Sequence, residues 1–212
     1  EGALLSPARG EAIAPIAVSA RHSAWAIGLS EAQRQAVYAD PRWRDGRYPE
    51  GDGPGAGLAV ARQIAMCTYR SRASLEARFS RSEAEAGGFE VEGWLRHHGR
   101  ALVDRFDART YVTLTRAMDA HDVGSGRGGG REALATVRVP ALVVSIDTDV
   151  LYPPVEQEEL ADALPLARLV RLASPHGHDA FLIEGETTNA LVARFRRDVE
   201  SGRGREEDTW VA

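Results

Sequence analysis

Two short stretches in the last third of the chain carry residue types that move protons. Asp147-Thr148-Asp149 follows the apolar run VPALVVSI at 139–146, and Ser174-Pro175-His176-Gly177-His178-Asp179 follows a second run at 167–172. A hydroxyl is a weak nucleophile at neutral pH, so a neutral imidazole must take its proton and later return one. A carboxylate on the other ring nitrogen holds the tautomer and stabilises the imidazolium. An acid after one strand and a histidine after the next is the chain order of a nucleophile–acid–base triad beyond the carboxyl ends of a parallel sheet. Taken singly, each residue also has a plain structural reading, because aspartates after strands cap helices or hold loop amides. Spacing does not separate Asp149 from Asp147, or His178 from His176.

The third member is missing. A serine on such a sheet stands in a Gly-x-Ser-x-Gly turn between a strand and a helix, and no such turn occurs. Gly124-Ser125-Gly126 opens the connector GSGRGGG at 124–130. No apolar strand precedes it, so it reads as a linker rather than a nucleophile turn or a phosphate-binding loop. Cys67 falls within a helical pattern and reads as a small core hydrophobe. The expectation is a chain that begins beyond its nucleophile and is inactive by itself. It has no initiator methionine, and Glu1–Gly10 lacks the basic and apolar segments of a secretory signal.

The elements that must position these groups follow from hydrophobic periodicity. Ala12–Ala20 (AIAPIAVSA) reads as a buried strand, with Pro15 counting against it. Ser30-Glu31-Ala32-Gln33 fits a capping box that opens a helix to about Asp40. The Pro-, Gly- and Asp-rich stretch 40–57 reads as a loop. Leu58, Ala61, Ile64, Ala65 and Thr68 share one helical face. Further helices are expected over Ser71–Phe79, Val91–Phe106 and Thr110–Ala120. Helices in succession with no strand between them break the βα alternation and read as an insertion. A short helix is expected from Arg131. The run 139–146 then reads as a central parallel strand, followed by a helix over Pro154–Leu164, a strand over Ala167–Leu172 and a closing helix over Thr187–Val199. The polar tail 201–212 is expected to fray, and Trp210 has no evident partner.

Composition narrows the chemistry. All 26 basic residues are arginine, which removes Schiff-base and phosphate-loop lysine chemistry. A single cysteine excludes an intrachain disulfide and metal sites built on several thiolates, so no metal is expected. Interspersed charges with a net of −5 argue against a nucleic-acid or anionic-membrane surface. No apolar run is long enough to cross a membrane, and the simplest location is cytoplasmic. His97-His98 are adjacent on a helix and cannot face one metal, so they read as an exposed pair.

Four stretches then carry a resemblance: SARHSAWAIGLSEAQRQAVYADPRW at 19–43, GLAVARQIAMCTYRS at 57–71, LVDRFDARTYVTLTRAMDAHDVG at 102–124 and HGHDAFLIE at 176–184. In that order they resemble the homoserine O-acetyltransferase family of the α/β-hydrolase superfamily. The resemblance covers about Ala12 to Glu184. It implies an α/β fold, the C-terminal part of an α/β-hydrolase with a helical lid. The implied division is core at 1–29, lid at 30–123, linker and short helix at 124–138, core at 139–200 and tail at 201–212.

The resemblance also implies a ping-pong reaction. Acetyl-CoA acylates a serine that lies before Glu1, and the homoserine hydroxyl then takes the acetyl group. By motif, Asp149 is the triad acid and His178 the base. Arg62, Tyr69 and Asp179 bind the amino-acid substrate, a zwitterion that needs a cation for its carboxylate and an anion for its amine. Acetyl-CoA is a substrate, and no permanently bound cofactor is implied. A homodimer through the lid helices is implied as well. Trp94 and His98 depart from the family's usual tyrosine and glutamine, which bears on lid packing. Serine as acceptor, succinyl-CoA as donor, an esterase using water, and a non-catalytic role remain alternatives.

Overall fold

The computed structural model describes residues 1–6 and 10–203. In chain order the elements are α1 (Gly2–Leu5), α2 (Ala24–Tyr38), α3 (Gly55–Tyr69), α4 (Arg72–Phe79), α5 (Glu90–Val103), α6 (Ala108–Asp119), α7 (Gly130–Leu134), β1 (Ala141–Ile146), α8 (Pro154–Ala163), β2 (Ala167–Leu172), α9 (Ala180–Ile183) and α10 (Gly185–Glu200). They divide into two compact units. One joins Glu1–Arg21 to the chain from His121 onward, and the other is His22–Ala120. Of the tail expected at 201–212, residues 204–212, Trp210 among them, lie outside the described residues.

In the first unit β1 and β2 pair in parallel, with Ala141 opposite Ala167 and Ile146 opposite Leu172. Every residue of β1 is buried, as its unbroken apolar run requires of a strand covered on both faces. Alternation sends its side chains into two cores. Leu142, Val144 and Ile146 pack with Leu191 and Phe195 of α10. Ala141 and Val143 pack with Leu160 and Ala163 of α8. Ser145, on the α8 side, donates to Gln157 Oε1 at 3.4 Å, and Gln157 Nε2 donates to the Val18 carbonyl at 3.1 Å.

The expected strand Ala12–Ala20 is not a continuous ladder. It runs parallel to β1 on the side away from β2, through two isolated bridges, Ile13 to Ala141 and Ile16 to Val144. Pro15 lends its carbonyl to Val144 N at 2.9 Å but has no N–H to continue the pairing. Two residues on, Ala17 takes a positive φ of 49°, which turns the chain out of extended geometry.

The second unit is helical. Its core joins Val37, Leu58, Ala61, Leu102, Ala108 and Val112 around the Tyr48 ring. Two glycines allow the close helix approach. A Cβ on Gly57 would lie 2.5 Å from the Ala36 carbonyl of α2, and one on Gly99 would lie 2.8 Å from the Ala59 carbonyl of α3. Serine and aspartate caps start three of the helices. Ser23 accepts from Ala26 N, Ser71 from Ser74 N and Asp107 from Thr110 N.

The capping box expected at Ser30 is therefore not a start. The helix begins at Ala24, Ser30 is buried inside it, and Glu31 turns forward to Arg34 and Gln35. The loop expected to reach residue 57 ends earlier, at Gly55. The first and last parts of this unit are joined by side chains. His22 Nδ1 lies 3.0 Å from Asp119 Oδ1, and Arg34 Nη2 lies 2.6 Å from Asp119 Oδ2.

Candidate active site

The first unit brings the two candidate stretches together. Beyond β1 the chain turns at once, with the Asp149 N–H donating to the Ile146 carbonyl at 3.1 Å. The Asp149 side chain is fully buried, and its carboxylate accepts three N–H groups. Oδ1 takes Leu151 N at 2.8 Å and Tyr152 N at 3.0 Å. Oδ2 takes His178 Nδ1 at 2.8 Å. A carboxylate out of water is costly unless its lone pairs are used, and here backbone and imidazole use them.

His178 sits in the short 3₁₀ turn Gly177–Asp179 that follows β2 and leads into α9. Gly177 supplies the positive φ of 71° that aims the turn. The imidazole lies between Tyr152 and Phe181, each with its ring centroid 5.6 Å away. Its side chain keeps 17% exposure against none for Asp149, so the acid is walled in while the base reaches the surface. A carboxylate at Nδ1 holds the proton there and leaves the lone pair on Nε2, the atom a general base needs.

The geometry separates the pairs that spacing left open. Asp147 is exposed and accepts the Ser174 N–H at 3.0 Å. His176 has Nε2 3.9 Å from Glu184 Oε1, while the Ser174 hydroxyl donates to the same oxygen at 3.2 Å. Asp149 meets His178; Asp147 and His176 serve loop contacts. Asp179, next to His178, closes the 3₁₀ turn and precedes α9. Thr148 is a residue that sequence reasoning passed over. Its hydroxyl donates to the Ser174 carbonyl at 2.6 Å and accepts the Gly177 N–H at 3.0 Å. Nothing in the sequence marks it, since it reads as a spacer between two acids.

Arg62 and Tyr69 lie within the second unit, both on α3. Two helical turns bring the guanidinium carbon to 5.0 Å from the centre of the Tyr69 ring, a cation–π contact. Tyr111 of α6 donates its hydroxyl to Gln33 Oε1 at 2.5 Å. Burial pushes the Tyr111 phenol well above its ordinary range, and nearby Tyr69 adds to this while Arg62 opposes it. His98 is half-buried rather than exposed as expected, with its ring edge-on to Trp94 at 4.7 Å. Burial lowers its pKa, with the charges of Arg62 and His97 acting in the same direction. Among the described residues, no group of three or more His, Cys, Asp and Glu side chains is placed to hold a metal ion. Among the same residues, no helix is long and apolar enough to cross a membrane.

Comparison with known proteins bears on the fold. The α/β hydrolase fold family matches residues 12–184. Homoserine O-acetyltransferase of Trichormus variabilis is 56% identical over 200 residues, which is 94% of this chain and 55% of that protein. The crystal structure of homoserine O-acetyltransferase from Bacillus anthracis superposes with a TM-score of 0.81 over 99% of this chain and 57% of that one, at 19% identity. Esterase E22 superposes with a TM-score of 0.77 over 97% of this chain and 57% of its own, also at 19% identity. At such identity the two structures speak for the fold and not for the reaction. The chain spans about half the length of the relatives it matches. On the family match over residues 12–184, the chain belongs to the α/β-hydrolase fold family.

Proposed function

We propose that the full-length protein transfers an acetyl group from acetyl-CoA to the hydroxyl of homoserine through a serine acyl-enzyme. The observation that carries this is the 56% identity to a homoserine O-acetyltransferase along 94% of the chain. The buried Asp149–His178 pair is the chemistry such a reaction needs. The serine belongs to the half of the relatives' length that this chain does not span.

In this reading His178 Nε2 takes the serine proton as Oγ attacks the thioester carbonyl. The tetrahedral intermediate collapses, the C–S bond breaks, and the same proton goes to the departing CoA sulfur. The homoserine hydroxyl then gives its proton to Nε2 as its oxygen attacks the acyl-serine. The C–Oγ bond breaks, and serine recovers the proton. Asp149 stabilises the imidazolium in both halves while its backbone donors hold it in place. Arg62, steadied by Tyr69, supplies the planar fork for the amino-acid carboxylate, and Asp179 supplies the anion for its ammonium. The helices of the second unit form the family's lid and the contact of a homodimer, and the enzyme works in the cytoplasm.

The test is release of free CoA thiol when the full-length protein meets acetyl-CoA and homoserine together. Release that depends on homoserine supports the proposal. Folded protein that releases no thiol would sink it, and release indifferent to homoserine would make it a hydrolase.

A further inference from the structure

Three successive residues after β1 each reach across to the loop after β2. Asp147 Oδ1 accepts Ser174 N at 3.0 Å, and Asp149 Oδ2 meets His178 Nδ1 at 2.8 Å. Between them the Thr148 hydroxyl makes two bonds at once. It donates to the Ser174 carbonyl at 2.6 Å and accepts the Gly177 N–H at 3.0 Å. The hydroxyl's proton and one lone pair are therefore both committed to the backbone of the histidine loop. One bond falls on each side of His176, and the second falls on the residue that precedes His178.

We propose that Thr148 is a positioning residue for the acid–base pair, whose hydroxyl sets the height of His178 over Asp149. Gly177 has a positive φ of 71°, a conformation that in a glycine has several near alternatives. A two-residue swing there would carry the imidazole with it. The carboxylate cannot follow, because Leu151 N and Tyr152 N hold its other oxygen. Thr148 sits on the same turn as the carboxylate and holds the Gly177 amide. It thus removes the freedom that Gly177 introduces. The methyl group has no part in this, so the hydroxyl alone should matter.

This inference rests on His178 acting as the general base, but not on which acceptor takes the acyl group. The experiment uses the full-length protein with Thr148→Val, Thr148→Ala and Thr148→Ser. Activity is read as acyl transfer from acetyl-CoA and also as hydrolysis of an activated acetyl ester, which needs the base but no amino-acid acceptor. The Val and Ala variants should lose at least about tenfold in kcat in both assays, as expected for a misplaced catalytic group. Their KM values for acetyl-CoA and acceptor should stay within about twofold of the parent, since neither substrate is touched. Thr148→Ser should restore kcat to within about threefold.

The downfield proton resonance of an imidazole N–H bonded to a carboxylate should weaken in the Val and Ala variants and return in Ser. This readout needs no turnover. It therefore stays informative even if homoserine is not the acceptor, an outcome that would show as ester hydrolysis without transfer. Full kcat and an unchanged resonance in Thr148→Val or Thr148→Ala would overturn the proposal. If neither of those variants accumulates as folded protein, Thr148→Ser still decides. A loss of tenfold or more in Ser would show that the methyl group, not the hydroxyl, is what the site needs.

Discussion

Replacing Asp149 by asparagine changes almost no volume and so isolates the charge and the hydrogen-bond pattern. The amide can sit two ways. With its oxygen at the Oδ1 position it keeps the Leu151 and Tyr152 N–H groups, at 2.8 and 3.0 Å, and turns its NH₂ toward His178 Nδ1. Flipped, it would point NH₂ at two backbone donors in a side-chain environment with no solvent access. Each buried donor left unsatisfied costs about 1–3 kcal/mol, so the flipped form lies about 2–6 kcal/mol higher. The first orientation wins, and His178 Nδ1 must then accept a hydrogen bond instead of giving one. The ring proton moves to Nε2, where the lone pair is needed.

The same substitution in a serine-protease triad lowers kcat by about 10⁴-fold, equivalent to about 5.4 kcal/mol of transition-state stabilisation. We expect a loss of that order in thiol release by the full-length protein. Thermal stability should change little, because both backbone bonds survive. Asp147→Asn is the matched control. Asp147 is exposed, and its one backbone bond to Ser174 N needs only an oxygen, so kcat should stay within a few-fold of the parent. An Asp149→Asn enzyme within tenfold of the parent, or an equal loss in Asp147→Asn, would refute the reasoning.

Three further outcomes are expected. Arg62→Lys keeps the charge but loses the planar fork. It should raise KM for homoserine at least about tenfold while leaving KM for acetyl-CoA near its parent value, as read from initial rates. Gly57→Ala puts a methyl 2.5 Å from the Ala36 carbonyl and should destabilise the fold by about 1–3 kcal/mol, visible as a lowered Tm. Asp107→Ala removes the cap of α6 and should cost about 0.5–2 kcal/mol in denaturant unfolding. The Asp107 carboxyl titrates below its ordinary value of 3.8. Burial pushes it up, but the Thr110 N–H, the Tyr48 hydroxyl and Arg109 outweigh that. The charged form is thus the one the fold favours. The charge-dependent part of the Asp107→Ala difference should be full above pH 3.8 and fade as the pH falls through the lower folded value.

The strands and most helices were legible because their patterns are long and single-valued. The run Ala141–Ile146 has no polar residue but Ser145, and α3 repeats its apolar face over four turns. The start of α2 misled for a physical reason. Gly28 lowers helix propensity just where the helix already runs, and Ser30 with Gln33 satisfies the capping pattern a turn later. The true cap, Ser23, has no acid or amide at the matching position to announce it. In the site, residue types pointed to an acid–base pair but not to which aspartate meets which histidine. Asp147 and Asp149 differ only in how the chain turns after Ile146, and that turn is a backbone hydrogen bond no side-chain pattern records. Thr148 was invisible for the same reason, since both of its partners are main-chain groups two dozen or more residues away. The segment Ala12–Ala20 reads as a strand with Pro15 against it, and only two bridges form, because sequence shows apolar content but not whether a proline interrupts one hydrogen bond or the whole ladder.

The pairing of His22 and Arg34 with Asp119 has a consequence for how this fold tolerates change. It pins the two ends of the helical unit to each other, so the chain between them is a closed loop in its own right. Just outside, Arg21 and Asp122 are bridged as an antiparallel pair within the other unit. A segment whose ends are fixed side by side can be lengthened cheaply: doubling a flexible loop costs only about 0.6 kcal/mol in closure entropy. The helices between His22 and Asp119 thus behave as a cassette. Length added in the loops between these helices leaves the joined ends at His22 and Asp119 where they are.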